Sequence, residues 1–163
     1  QAVYDAVRPG IALYGLHPSD EVLLPSDFEP ALTWKTRLAS IKTLPPGSGV
    51  GYGQTYITRG AEKVGVCAVG YADGLRRRAG NQVLIRGKRV PQLGSVCMDQ
   101  SMYALDTVPE AQPGDEVVLI GSQGKERLSA EEVAASWGTI NYEVVCGLAA
   151  RIPRYYFDDQ GTL

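Results

Sequence analysis

Val83-Leu84-Ile85-Arg86-Gly87-Lys88-Arg89-Val90-Pro91 decides the fold class of this chain. An apolar, β-branched run meets Gly87-Lys88 and a second run returns after it, the pattern of a hairpin. Other strands lie outward from it. Upstream, Val64-Gly65-Val66-Cys67-Ala68-Val69 is apolar on both faces, which suits a central strand. Further upstream, Leu32, Trp34, Thr36 and Leu38 alternate with Thr33, Lys35 and Arg37, the period of a half-buried strand. Pro45-Pro46-Gly47-Ser48-Gly49 stops it. Downstream, Ser101 to Asp106 and Glu116 to Ile120 add two more strands, with Pro113-Gly114-Asp115 turning between them. Short strands cut by glycine-rich turns predict a mainly β chain, a compact barrel or sandwich.

Helical signals are few. Ser129 followed by Glu132 is a capping box, and Val133, Ala134 and Trp137 form the apolar side of the helix it opens. Thr139 is placed to cap a second short helix carrying Asn141, Tyr142 and Glu143, and Ile152 to Phe157 reads as a last strand. At the other end, Val7-Arg8-Pro9-Gly10-Ile11-Ala12-Leu13-Tyr14-Gly15 reads as a strand end running into a turn. From His17 to Pro30 the chain is polar and holds three of its ten prolines, as a linker would.

Composition excludes several function classes. With 163 residues and 44% hydrophobic content the chain is long enough to bury a core. A net charge of -2 leaves no basic footprint for nucleic acid, and the short cluster Arg76-Arg77-Arg78 fits a solvated turn about as well as a ligand site. Three cysteines without Cys-x-x-Cys spacing argue against a disulfide framework and suit a reducing, cytoplasmic compartment. One histidine cannot build a metal cluster, and no apolar run is long enough to span a bilayer.

The chemistry-bearing segments form an ordered series. Gly49-Val50-Gly51-Tyr52-Gly53-Gln54-Thr55-Tyr56 puts a tyrosine between glycines, where it projects without neighbours. Read alone, that tyrosine is either a surface turn aromatic or a functional group. Gly70-Tyr71-Ala72-Asp73-Gly74 follows, then Gly94-Ser95-Val96-Cys97-Met98-Asp99-Gln100, then Ile140-Asn141-Tyr142-Glu143-Val144 and Arg151-Ile152-Pro153-Arg154. Met98 alone reads as core filler and Asp99 as a turn acceptor. In this order, from about Val7 to Tyr156, the series resembles the C-terminal domain of alanine racemase, a family that uses pyridoxal phosphate (PLP).

The resemblance implies specific roles. Residues 1–20 would be the end of an N-terminal (β/α)8 PLP-binding barrel with its linker, and residues 21–163 the C-terminal β domain. Tyr52 matches the family's second catalytic base, which works opposite a PLP-bound lysine of the barrel. Racemisation takes a proton from one face of a planar carbon and returns one to the other, so two opposed bases are wanted. A free phenol has a pKa of about 10, so a tyrosine base near neutrality needs about 4 kcal/mol of support for its charged form. In the family, arginine and histidine of the barrel supply it.

Arg8 matches the arginine facing the PLP ring nitrogen. Gly10 and Ile11 match the backbone amides on the phosphate, and Tyr142 a hydroxyl donor to it. Met98 and Asp99 match the loop beside the substrate carboxylate, while Tyr71 and Arg77 match residues lining the substrate corridor. Ser95 stands where several members have arginine. The family's protomers meet head to tail, so the resemblance implies a homodimer with shared pockets and a small amino acid as substrate. Alternatives are a racemase of another small amino acid such as serine, or a non-catalytic β-barrel binding module. None of the five lysines (Lys35, Lys42, Lys63, Lys88, Lys125) has the context of the PLP lysine, so the chain alone is expected to be inactive.

Overall fold

The computed structural model describes residues 5–158 and 161–162, with side chains described through Phe157. Its centre is a barrel. The strands are β1 (Trp34–Leu44), β2 (Gly49–Val50), β3 (Tyr56–Ile57), β4 (Glu62–Cys67), β5 (Gln82–Ile85), β6 (Lys88–Leu93), β7 (Ser101–Ala104), β8 (Glu116–Gln123) and β9 (Glu126–Leu128). The main sheet runs β1-β4-β7-β6-β5-β8-β9, and β1 also pairs with β8, so six strands close on themselves and β9 extends β8. All of these pairings are antiparallel.

Closure depends on β1 serving two partners. Its first part pairs with β8 (Thr36 opposite Val117) and its second with β4 (Ile41 opposite Gly65). A register slip between Leu38 and Ser40 marks the hand-over, where one extra residue bends the strand and increases its twist. The alternation expected around Trp34 and Leu38 is present: both are buried, and Lys35 and Arg37 are exposed. The strand runs on to Leu44, beyond the alternating stretch, because its second half pairs along β4. As expected, β4 is central, with neighbours on both sides.

The β5–β6 hairpin forms with its turn one residue earlier than the sequence suggested. Ile85 pairs with Lys88, leaving Arg86-Gly87 at the tip with φ of 50° and 72°. A two-residue turn matching the twist of its strands needs positive φ at both positions, and glycine in the second place fixes the register. Arg86 also grips Asp115 with two hydrogen bonds of 2.7 and 3.0 Å. That fork holds the Asp115 carboxyl below its ordinary range.

Val83, Leu84 and Ile85 are buried together with Val117, Val118, Leu119 and Ile120, so β5 and β8 are covered on both faces. Helix α1 (Ala130–Trp137) lies next to β8 and contributes Val133, Ala134 and Trp137 to the core. Its capping box is formed: Glu132 N–H donates to Ser129 Oγ, and Ser129 N–H to the Glu132 carboxylate, both at 3.2 Å. Helix α2 (Asn141–Cys146) starts from Ile140, not Thr139. The Thr139 hydroxyl instead bonds the Glu143 carboxylate.

Two further expectations change. Residues 153–156 form no strand, and Phe157–Asp158 makes only a short ladder with Gly161–Thr162. Pro153 removes a donor there, which disfavours ladder pairing. Gly10–Tyr14 is a 3-10 turn, not a strand end. Ile11 and Leu16 are nevertheless buried in the main core. Among the described residues no helix is long and apolar enough to cross a membrane.

Cys67 lies fully buried on β4, and burial pushes its thiol up to about 12. Cys146 is exposed. A thiol reagent at pH 8 should therefore modify Cys146 in the folded chain and leave Cys67 untouched until denaturant is added. Mass spectrometry of the labelled peptides checks this; prompt labelling of Cys67 under native conditions would contradict the buried position.

Candidate active site

A second, smaller apolar cluster mounts the site. Val50 packs with Val64, Leu93 and Met102 of β4, β6 and β7, flanked by Leu44, Tyr56 and Val66. The β2–β3 hairpin is thus fastened to the barrel by its own buried valine. Polar staples hold its base. Ser48 N–H donates to Thr58 Oγ1 at 2.8 Å, Thr58 Oγ1 donates to Pro45 O at 2.6 Å, and the Tyr56 hydroxyl donates to Glu62 Oε2 at 2.7 Å. Glu62 in turn raises the Tyr56 phenol above its ordinary range.

Tyr52 sits on the tip of this hairpin, 73% exposed, between Gly51 (φ 74°) and Gly53 (φ 73°). The tip is wedged against the loop after β6. A Cβ on Gly94 (φ 64°) would stand 2.4 Å from the Val50 carbonyl oxygen, and one on Gly51 would stand 2.9 Å from Met102 Cε. The Thr55 and Ser95 hydroxyls share a hydrogen bond of 3.1 Å across the seam. Gly94→Ala meets both a left-handed backbone and a carbonyl wall. It should cost on the order of 2 kcal/mol or more. Gly60→Ala, in open space with ordinary φ, should stay within about 0.5 kcal/mol. Urea unfolding of the two variants provides the comparison.

Tyr71 is brought to the same place by a different clamp. Tyr71 N–H donates to Cys97 O at 3.0 Å and Ala72 N–H to Met98 O at 2.9 Å. A Cβ on Gly70 would fall 2.3 Å from Met98 O, so only glycine lets the turn sit flush on the loop. The Met98 amide has no acceptor among the described residues, and its side chain is half exposed. Tyr52, Tyr71, Met98 and Asp99 together line one open concavity of about 730 Å³, with Gly51 and Gln100 beside them.

The other candidates lie elsewhere. Arg77 lines a neighbouring depression of about 370 Å³ with Thr55, Arg78 and Ser95. The adjacent Arg76 does not face solvent alone: it pairs with Glu143 and lies 5.9 Å from the centre of the Trp137 ring. Tyr142, 38% exposed, is carried by α2. Arg8 and Gly10 belong to the N-terminal segment, where Ile11 is anchored in the core. That segment is tied to α2, because Asn141 Nδ2 donates to His17 O at 2.9 Å and Ile11 shares the main core with Val144. None of Arg8, Gly10, Ile11 and Tyr142 lines the concavity of Tyr52.

Arg151 and Asp73 have no role implied by the resemblance. Arg151 Nε donates to Asp73 Oδ1 at 2.8 Å, and its terminal nitrogen donates to Asp99 Oδ1 at 2.5 Å. The available signal was that both stand inside the ordered motif series.

Comparison with known proteins agrees with this geometry. The model of the family described as "Alanine racemase, C-terminal domain" matches residues 31–156. The alanine racemase of Halothermothrix orenii is 51% identical over 154 residues, covering 93% of this chain and 41% of the relative. That of Symbiobacterium thermophilum is 49% identical over 158 residues, covering 96% and 42%. Among solved structures, alanine racemase from Bacillus anthracis with bound L-Ala-P superposes with a TM-score of 0.89 at 45% identity, over 94% of this chain and 40% of that one. The chain spans about two fifths of the length of these curated relatives. With the barrel, the glycine-flanked tyrosine and the clamped Met98 loop all in place, the chain belongs to the alanine racemase C-terminal domain family.

Proposed function

We propose that this chain is the C-terminal part of a PLP-dependent alanine racemase, and that it presents the Tyr52 hydroxyl to an amino acid bound in the pocket of a second protomer. The observation that carries this reading is the shared concavity of Tyr52, Tyr71 and Met98, with the tyrosine projecting from a hairpin tip and the Met98 amide unclaimed. Residues 1–20 are then the end of the barrel, fastened to residues 21–163 through Ile11 and Leu16.

The residues present fit the cofactor. The Gly10 and Ile11 amides have no acceptor among the described residues, and the space beside Gly10 where a Cβ would sit is open. These two amides would hold the phosphate, with the Tyr142 hydroxyl donating to it. Arg8 would face the ring nitrogen, where a guanidinium, effectively never deprotonated, cannot hand over a proton. When bound, PLP supplies the electron sink that makes the α-proton removable.

The chain's own residues do the rest. The Met98 amide donates to the substrate carboxylate and so fixes which face of the α-carbon meets Tyr52. The Tyr52 oxygen takes or returns the α-proton on that face, and a barrel lysine serves the other. Tyr71 and Arg77 border the approach. The separation of Tyr52 and Met98 from Arg8, Gly10, Ile11 and Tyr142 supports a head-to-tail homodimer in which one domain serves two pockets.

The test is enzymatic. The intact polypeptide supplied with PLP should interconvert L- and D-alanine, and serine at least about tenfold more slowly, the scale of discrimination that small differences in pocket filling supply. Faster turnover of serine would overturn the substrate assignment, and no turnover of either would overturn the reading.

A further inference from the structure

We propose that Arg151 is a positioning residue for this site: by bridging Asp73 and Asp99 it bolts the Tyr71 turn onto the Met98 loop and thereby aims the Met98 amide. The inference rests on the racemase reading, in which that amide meets the substrate carboxylate.

Three segments far apart in sequence meet at one guanidinium. Asp73 ends the turn that carries Tyr71, Asp99 follows Met98, and Arg151 comes after α2. The Asp73 carboxylate, mostly buried, accepts Gly70 N–H at 2.8 Å on Oδ2 and Arg151 Nε–H at 2.8 Å on Oδ1. The Asp73 carbonyl accepts Ala149 N–H at 3.1 Å, which brings the Arg151 segment alongside the turn. Arg151 completes the bridge through Asp99 Oδ1 at 2.5 Å. A planar guanidinium has donors in a fixed fork and can hold two carboxylates at once, which an ammonium on a flexible stem does poorly.

Peptide geometry carries the effect to the substrate. Cys97 C=O and Met98 N–H belong to one planar trans unit, so they point in opposite directions. Tyr71 N–H holds the Cys97 carbonyl at 3.0 Å and Ala72 N–H holds the Met98 carbonyl at 2.9 Å. Fixing these carbonyls against the turn therefore fixes where the Met98 N–H points. Without Arg151 the mostly buried Asp73 carboxylate loses its cationic partner, Asp99 loses its tie to the turn, and the clamp would rest on the Tyr71 and Ala72 amide hydrogen bonds.

Two measurements on Arg151→Gln test this. In this chain, amide exchange at Tyr71 and Ala72 should accelerate by about tenfold or more, with Leu84 and Val118 in the β5–β8 ladder unchanged, since local opening differs from global unfolding. In the intact racemase, KM for alanine should rise about tenfold while kcat falls less than threefold, the pattern of lost ground-state grip. Arg151→Lys should be intermediate in both, and decides the matter should Arg151→Gln fail to fold. Unchanged exchange at Tyr71 and Ala72 would overturn the bolt. Faster exchange with KM unchanged would reduce Arg151 to a stabilising residue and overturn the positioning role. An inactive wild-type enzyme would be a failure of the racemase reading itself, with the exchange result standing apart from it.

Discussion

On the proposed reading, Tyr52→Phe in the intact polypeptide should lower kcat/KM for alanine by about 10²–10⁴-fold, the span that a positioned proton-transfer group contributes. The loss is equal in the two directions, because the equilibrium between mirror-image alanines is fixed by symmetry. The substitution removes one oxygen and leaves the ring. Tyr52 is 73% exposed and donates no hydrogen bond among the described residues, so folding loses nothing by its removal. Urea unfolding of the variant should fall within about 0.5 kcal/mol of the parent. A drop in activity with unaltered stability separates a chemical role from a structural one. Equal activity would leave Tyr52 as a surface aromatic.

The second large effect is an absence of turnover. This chain incubated with PLP and L-alanine should form no D-alanine above a no-protein control. On the proposed reading, proton removal needs a lysine holding the cofactor opposite Tyr52, and none of the five lysines lines that concavity. Lys63 donates to the carbonyls of Pro109 and Ala111, Lys35 pairs with Glu116, and Lys88 donates to Thr107 O, each on the barrel wall or its loops. Mixing the chain with a separately made barrel fragment should restore activity on the proposed reading, because Tyr52, Tyr71 and Met98 stand exposed on one concavity. Turnover by the chain alone, chirally assayed, would contradict the division of labour between the two parts.

Local features were legible in the sequence because local chemistry sets them. The capping box at Ser129 and Glu132 formed as written, and the strands around Trp34, Val64, Val83 and Val117 are all present. The hairpin register moved by one residue because left-handed backbone at Arg86 is tolerated when glycine follows. Barrel closure was not legible: it depends on β1 dividing itself between β4 and β8, a non-local choice. The sites behave alike. Tyr52, Tyr71 and Met98 were identified through motifs, but their convergence depends on where Gly70 and Gly94 let separate loops touch. The resemblance pairs Arg77 with Tyr71 along one corridor; in the fold Arg77 lines the depression beside Ser95, next to the concavity of Tyr71. The role of Arg151 is not legible in the sequence because its partners lie 78 and 52 residues away, with no periodicity connecting them.

The most direct measurement is proton washout. In deuterium oxide, the intact Tyr52→Phe enzyme is given each alanine enantiomer separately, and the α-hydrogen is followed by mass spectrometry. The expected result is deuterium entering the enantiomer served by the lysine, with configuration retained, and almost none entering the other. Rapid exchange of both enantiomers without the Tyr52 hydroxyl would contradict its role as the second base.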